Sequence, residues 1–362
     1  MDRRVFLQST GSLALSATCL AEVQRGELDA ASKILEQAAA SKQVAAAALH
    51  VRRKSEAFSR AFGLAKSPDA MFLLGSISKP ICMTALMTLY DRGEFRLEDP
   101  AKKFLPKFAG DGRDSVTIRH LLTHTCGLPD QLPRNAELRK KHASLGEFVE
   151  QTLQTPLEFR AGERYQYSSM GILLAARIAE VISGTDILTL VDRAVLRPLQ
   201  MTRSAQGLGR FQIEDFVACQ AEGAAPESGA GDPTAKDWNW NSPYWRKLGA
   251  PWGGTHASAP DLGRFLAEFL AAKGNAVKPE TARLMIRNHN PREQTPRGLG
   301  FGVGPGTPGC SANTFGHTGS TGTLCWADPE RDLICVVLTS LPARAASPHP
   351  RDLAAEKVSA GG

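Results

Sequence analysis

The 362 residues contain no C-x-x-C pair, no internal repeat and no basic run interleaved with aromatic residues. The first absence argues against a dithiol redox centre or a zinc ribbon. The seven cysteines also lack the regular spacing of a disulfide framework. Cys82, Cys126, Cys219, Cys310, Cys325 and Cys335 read as small buried hydrophobes, and their spacing does not decide whether any of them pair. The densest basic runs, RRK at 52–54 and RKK at 139–141, belong to a chain with 43 basic and 37 acidic residues. A solvated surface accounts for them, and no nucleic-acid partner is expected. His120 and His124 lie one helical turn apart with Cys126 near, but no H-E-x-x-H glutamate accompanies them, so no metal is expected. No organic cofactor is expected either.

What is present is the composition of a large folded unit, 42% hydrophobic and 22% charged. The start, MDRRVFLQSTGSLALSATCLAEV, has the form of an export signal over residues 1–21. Arg3 and Arg4 precede Val5, Phe6 and Leu7, and an uncharged, mildly apolar run reaches Ala21. Paired arginines suggest the twin-arginine route, hence a periplasmic or extracellular location. The apolar run is too short to span a bilayer after signal removal.

Further along, VAAAALHVRR reads as a strand with FSRAFGLA as its hairpin partner. A long helix follows Ser76, with Cys82, Ala85, Leu86 and Leu89 on one face and Gly93 at its end. In MGILLAARIAEVISG, Leu174, Ile178, Val181 and Ile182 form an apolar stripe and Gly184 the stop. Residues 203–237 read as a long loop region. SAPDLGRFLAEFL is another helix, capped by Ser258 or Asp261. The last quarter turns to strands, including FGHTG and GTLCWADPERDLICVVLTS, the latter two runs joined at Asp328-Pro329. Strands at both ends predict an α/β (α+β) fold. One antiparallel sheet is built from the two chain ends, and a mostly helical lobe is inserted between them. The expected boundaries are a domain over 27–345, with a sheet lobe of about 27–105 and 290–345 and a helical lobe of about 106–289. Residues 346–362 are then a short tail.

Three clusters carry chemistry. In Ser76-Ile77-Ser78-Lys79 a step of three along a helix puts Lys79 on the face of Ser76. A serine hydroxyl needs a base to take its proton, and a lysine held among apolar residues at a helix start can be that base. The alternative is a capping serine followed by a surface lysine. Tyr167-Ser168-Ser169 opens the Leu174 helix, and its phenol either relays a proton or packs in the core beside a serine cap. His317-Thr318-Gly319-Ser320 precedes a strand hairpin, where a glycine marks close approach of a ligand to backbone.

Together these resemble the serine β-lactamase and penicillin-binding superfamily, with its S-x-x-K, Y-x-N and K-T-G or H-T-G triplets, and in particular its class C β-lactamase-like branch. FRLEDPAKKFLPKF, VTIRHLLTHTCGLPD, RPLQMT, GGTHASAPDLGRFL and GLGFGVG are also similar to that branch, from about residue 40 to about 340. The resemblance implies that Ser76 is acylated, Lys79 is the general base and Tyr167 shuttles the proton. The Ser76 and Ser320 amides form the oxyanion hole, and His317 and Thr318, followed by Gly319, contact the substrate's distal polar group. It implies hydrolysis of an ester or amide, including β-lactam-like or D-amino-acid amide bonds, on a small-molecule or peptidoglycan-like substrate. The competing expectation is a catalytically silent module that recognises peptidoglycan fragments or a protein.

Ser169 departs from the family pattern, which has Asn there and uses it in substrate binding; a hydroxyl offers fewer hydrogen bonds than an amide. His317 stands for the usual lysine. With an ordinary pKa of about 6.5 it is mostly neutral at pH 7, which weakens the grip on a carboxylate and favours esters and neutral amides. WGG at 252–254 resembles a triplet that replaces K-T-G in some esterase relatives, but it is expected to lead into a helix and is set aside. Trp238, Trp240, Trp245 and Trp252, with Tyr244, either pack their own loop or wall a pocket.

Overall fold

A computed structural model describes residues 25–361. The expected export signal lies outside them. Residues 25–40 form helix α1, followed by the hairpin β1 (Ala46–Arg53) and β2 (Glu56–Gly63). After β3 (Phe72–Leu73) comes α2 (Ser78–Asp91). The middle holds α3 (Ile118–Leu122), α4 (Asn135–Lys140), α5 (Leu145–Gln154), α6 (Ser169–Ser183) and α7 (Ile187–Val191). Next are β4 (Ser204–Gln206), α8 (Pro243–Leu248), β5 (Thr255–Ala257), α9 (Ala259–Ala271) and α10 (Pro279–Met285). The chain closes with β6 (Gly302–Val303), β7 (Phe315–Gly319), β8 (Thr323–Asp328), β9 (Leu333–Thr339) and α11 (Pro350–Ala360).

The main sheet is six-stranded and antiparallel, in the order β2-β1-β9-β8-β7-β6, so the two chain ends meet at β1 and β9. Alternate residues of these strands enter opposite cores. Ala46, Ala48, Ile334, Val336 and Leu338 join the larger cluster, whereas Ala47, Leu49, Val51, Leu333, Cys335 and Val337 join the smaller. Burial on both faces is why these segments are apolar throughout instead of alternating. A second, three-stranded sheet, β3-β5-β4, leads into the turn at Gly75–Ile77.

Four expectations need correction. Residues 346–362 are more than a short tail: α11 packs Ala354, Ala355 and Val358 onto the sheet with Ala31 and Leu35 of α1. Helix α9, placed in the helical lobe by sequence, instead covers the other sheet face with Leu262, Phe265, Leu266 and Phe269. Val181 is 44% exposed, so the α6 stripe runs through Leu174, Ala175, Ile178 and Ala179. Helix α2 is buried on nearly all sides, including Ile81, Met83 and Met87, because it lies between α6 and α7.

Local signals set the helix ends. Ser168 caps α6 by accepting from Gly171 N at 2.9 Å, and Gly184 closes it in the left-handed conformation at φ 66°. Ser258, not Asp261, caps α9, accepting the Asp261 amide. Phe265, Phe269, Phe301 and Phe315 form a ring cluster with centroids 4.8–5.9 Å apart in four of its pairs. Each such pair contributes about 0.5–1.5 kcal/mol beyond area burial, and together they anchor β7, the strand that borders the site.

Candidate active site

The site begins at a tight turn, Gly75–Ile77, which runs straight into α2. Gly75 has φ 56°, and a Cβ there would lie 3.1 Å from Ser320 N and 3.0 Å from Thr321 Oγ1. Glycine therefore lets the Ser76 turn close on the end of β7. From the other side, a Cβ at Gly319 would lie 2.1 Å from Leu74 O. Two hydroxyls lock the approach: Thr321 donates to Leu73 O and Thr323 to Leu74 O, each at 2.7 Å. This brings the Ser76 and Ser320 segments together, as an oxyanion hole requires.

Lys79 is fully buried, and its Nζ donates to Ser76 Oγ at 3.0 Å and to Trp252 O at 3.1 Å. No carboxylate of the described residues pairs with it. A surface-solvating lysine is excluded by that placement. The WGG segment, set aside on sequence grounds, thus reaches the centre through the Trp252 carbonyl and leads first into β5, not directly into a helix. Tyr167 stands over Lys79, whose Nζ is 4.7 Å from the phenol ring centroid. Ser76, Tyr167, His317, Thr318, Gly319 and Ser320 all line one cavity of about 610 Å³.

Ser169 is not among the residues lining that cavity. Its hydroxyl donates to Asp130 at 2.6 Å and its amide to the same oxygen at 2.9 Å. The short side chain is thereby spent on holding the start of α6, and the expected substrate contact is not in place.

Sequence reasoning missed Arg297. Its Nη2 donates to His317 Nε2 at 2.6 Å, and its Cζ lies 5.4 Å from the Tyr167 ring centroid. His317 Nδ1 donates in turn to Thr318 O at 2.7 Å, so both ring nitrogens are occupied within the protein. Burial, then Arg297, then Lys79 push His317 well below the ordinary imidazole range. The same three causes act in the same order on His124, with His317 adding a smaller push. The His124 ring packs on Tyr167 at 4.5 Å, and its Nδ1 accepts from Ser168 N at 3.2 Å. That bond leaves the His124 proton on Nε2, facing Arg297 Nη2 at 3.2 Å, a close approach of two donors. The histidine is therefore neutral as expected, but the site is not short of charge. A guanidinium stands directly behind His317 and revises the argument for a weak hold on carboxylates.

Arg351 was missed as well, because it lies in the presumed tail. Its Nη1 donates to Gly319 O at 2.8 Å and Thr323 O at 2.9 Å, so α11 pins both sides of the β7–β8 turn that carries Ser320. His120 serves elsewhere, accepting from Thr117 N in the capping box of α3. All four tryptophans of the 238–252 region are buried and none lines the cavity that holds Ser76; Trp245 lies 3.8 Å beneath the Arg139 guanidinium. They pack inward, Trp245 and Trp252 onto α4 and α5 through Arg139 and Phe148, and Trp240 lines a separate cavity. Cys82, Cys126, Cys219, Cys310, Cys325 and Cys335 are all free, and all but Cys310 are buried.

Residues 31–359 match the profile of the Beta-lactamase family. The chain belongs to that family. It is 33% identical over 203 residues to esterase EstB of Burkholderia gladioli, a match covering 48% of this chain and 52% of that one. It is 31% identical over 140 residues to penicillin-binding protein 4* of Bacillus subtilis, covering 38% and 30% respectively. These matches thus span about half or less of those curated relatives. Among solved structures, EstCE1, described as a hydrolase with promiscuous acyltransferase activity, superposes with TM-score 0.73 at 18% identity, covering 95% of this chain and 99% of that one. A penicillin-binding protein homologue from Caulobacter crescentus gives TM-score 0.73 at 20% identity, covering 93% and 98%. At these identities the structural likeness speaks for the fold.

Proposed function

We propose that this protein is a serine hydrolase that cleaves an ester or amide through an acyl-Ser76 intermediate. The observation that carries this is Lys79 Nζ, buried and without a carboxylate, 3.0 Å from Ser76 Oγ. In its base form Lys79 takes the Ser76 proton as Oγ bonds to the substrate carbonyl carbon. The Ser76 and Ser320 amides receive the oxyanion. Tyr167, against Lys79, passes the proton to the departing alcohol or amine as its bond to the carbonyl carbon breaks. Water then repeats the sequence on the acyl-enzyme and frees Ser76. The names of the relatives, an esterase and a penicillin-binding protein, support an ester or amide as the bond attacked.

A fluorophosphonate should form one adduct, and peptide mapping should place it on Ser76. An adduct elsewhere, or none, sinks the reading. The second outcome would favour a catalytically silent binding module, which the turning of Ser169 toward Asp130 otherwise supports.

Export by the twin-arginine route is part of the same proposal and rests on Arg3-Arg4-Val5-Phe6-Leu7. Among the described residues no helix is long and apolar enough to cross a membrane. Fused to a folded reporter, residues 1–30 should carry it across the membrane, and changing both arginines to lysine should stop transport. Transport that survives the double change argues for another route.

A further inference from the structure

Tyr167 lies in residues 165–168, a stretch without regular secondary structure. A phenol that relays a proton has to be held in place, because a misplacement of about 1 Å can cost about 10² in rate. Among the described residues the Tyr167 hydroxyl has no hydrogen-bond partner. Its location is therefore set by the backbone on either side and by what packs on the ring.

His124 supplies both. Its carbonyl oxygen accepts from Gln166 N at 2.9 Å, and its Nδ1 accepts from Ser168 N at 3.2 Å. Those two amides flank Tyr167, so one residue grips the chain before and after the phenol. The imidazole then packs on the phenol with ring centroids 4.5 Å apart, nearer than His317 at 6.1 Å.

Local structure alone would not put a histidine here. Position 124 closes α3: Thr125 N returns to His120 O at 3.0 Å, and His124 has φ 59°. A left-handed residue just past a helix is usually glycine, sometimes asparagine, because a Cβ is strained there. Side chains kept in such a conformation cluster at functional sites. The His124 ring is also fully buried, and only its uncharged form leaves Nδ1 free to accept from Ser168. We propose that His124 is the positioning residue for Tyr167, fixing both flanking amides and the ring so that the phenol meets the departing atom. The chemistry in this proposal rests on the hydrolase reading above.

Glycine and asparagine suit the backbone of position 124, so they isolate the side chain. His124→Gly keeps the carbonyl for Gln166 and removes the acceptor for Ser168 and the ring. His124→Asn brings back an acceptor without the ring. Help from a proton donor matters most for a poor leaving group: 4-nitrophenolate departs unaided, and 4-methoxyphenolate much less readily. His124→Gly should therefore lower kcat/KM for 4-methoxyphenyl butyrate about 10²-fold, but for 4-nitrophenyl butyrate less than about fivefold. His124→Asn should recover about tenfold on the methoxyphenyl ester. Fluorophosphonate labelling of Ser76, from which fluoride departs without a proton from Tyr167, should stay within about threefold in both variants. Equal losses on the two esters, no recovery with asparagine, or labelling lost in both variants overturns the proposal.

If the parent neither labels nor turns over either ester, the hydrolase reading fails on its own. Hydrogen exchange read by mass spectrometry then judges the positioning. Peptides covering residues 165–168 should exchange about tenfold faster in His124→Gly and near the parent rate in His124→Asn, with other peptides unchanged. Exchange there that stays at the parent rate in His124→Gly, or rises throughout the chain, overturns it.

Discussion

Lys79→Ala should slow acylation of Ser76 by about 10³-fold, within the range of about 10²–10⁴ that a positioned general base supplies. The effect is large because neither nearby histidine can take the Ser76 proton instead. His317 has both ring nitrogens engaged, by Arg297 and Thr318. His124 Nδ1 is held by the Ser168 amide. The variant also vacates the space bounded by Ser76 Oγ, the Trp252 carbonyl and the Tyr167 ring. A small primary amine fits the same partners, so ethylamine in the buffer should recover at least tenfold of the lost rate. Loss of a merely structural lysine would show no such recovery. The measurement is the rate of fluorophosphonate labelling with and without amine. Labelling of the variant within tenfold of the parent shows that Lys79 is not the base.

Gly319→Ala should reduce kcat by about 10²–10³-fold with little change in KM, the usual consequence of losing one oxyanion donor. The added methyl group would stand 2.1 Å from Leu74 O and 2.2 Å from Thr323 Oγ1. The first contact is with backbone and cannot be relieved by a rotamer change, so the end of β7 must move away from the Ser76 turn. Ser320, the next residue, moves with it. Arg351 resists part of that movement through its bonds to Gly319 O and Thr323 O, which keeps the variant folded while the hole opens. Gly146→Ala in α5, where the methyl group meets only Ser144 Oγ at 3.7 Å, is the matched control. Steady-state kinetics on one ester decide the matter: a Gly319→Ala enzyme with kcat within threefold of the parent rules out the Ser320 amide as an oxyanion donor.

The parts of this site legible in the sequence are those whose partners lie close along the chain. Ser76 and Lys79 are one helical turn apart, and the structure joins them directly. Ser168 and Gly184 mark both ends of α6 by local capping chemistry. The hairpin of β1 and β2 follows from two runs joined by a short turn. Where a residue's surroundings come from distant segments, the same reading went astray. Val181 has the spacing of the apolar stripe but faces out, since helical period fixes a face and not what covers it. Ser169 was judged by the substrate contact an asparagine makes, yet Asp130, 39 residues earlier, takes its hydroxyl.

The sequence by itself pointed to the family, through several motifs in the right order, and put Ser76 and Lys79 on one face, because a spacing of three on a helix start is a geometric statement in one dimension. Only the tertiary structure decided the electrostatics around them. Arg297 reaches His317 from 20 residues away and Arg351 reaches Gly319 from 32. Trp252 meets Lys79 across 173 residues through a carbonyl that every amino acid possesses. A backbone oxygen leaves no mark in the residue alphabet, and a long guanidinium side chain carries its charge far from the position where it is written. Those contacts exist only once segments far apart along the chain have packed together.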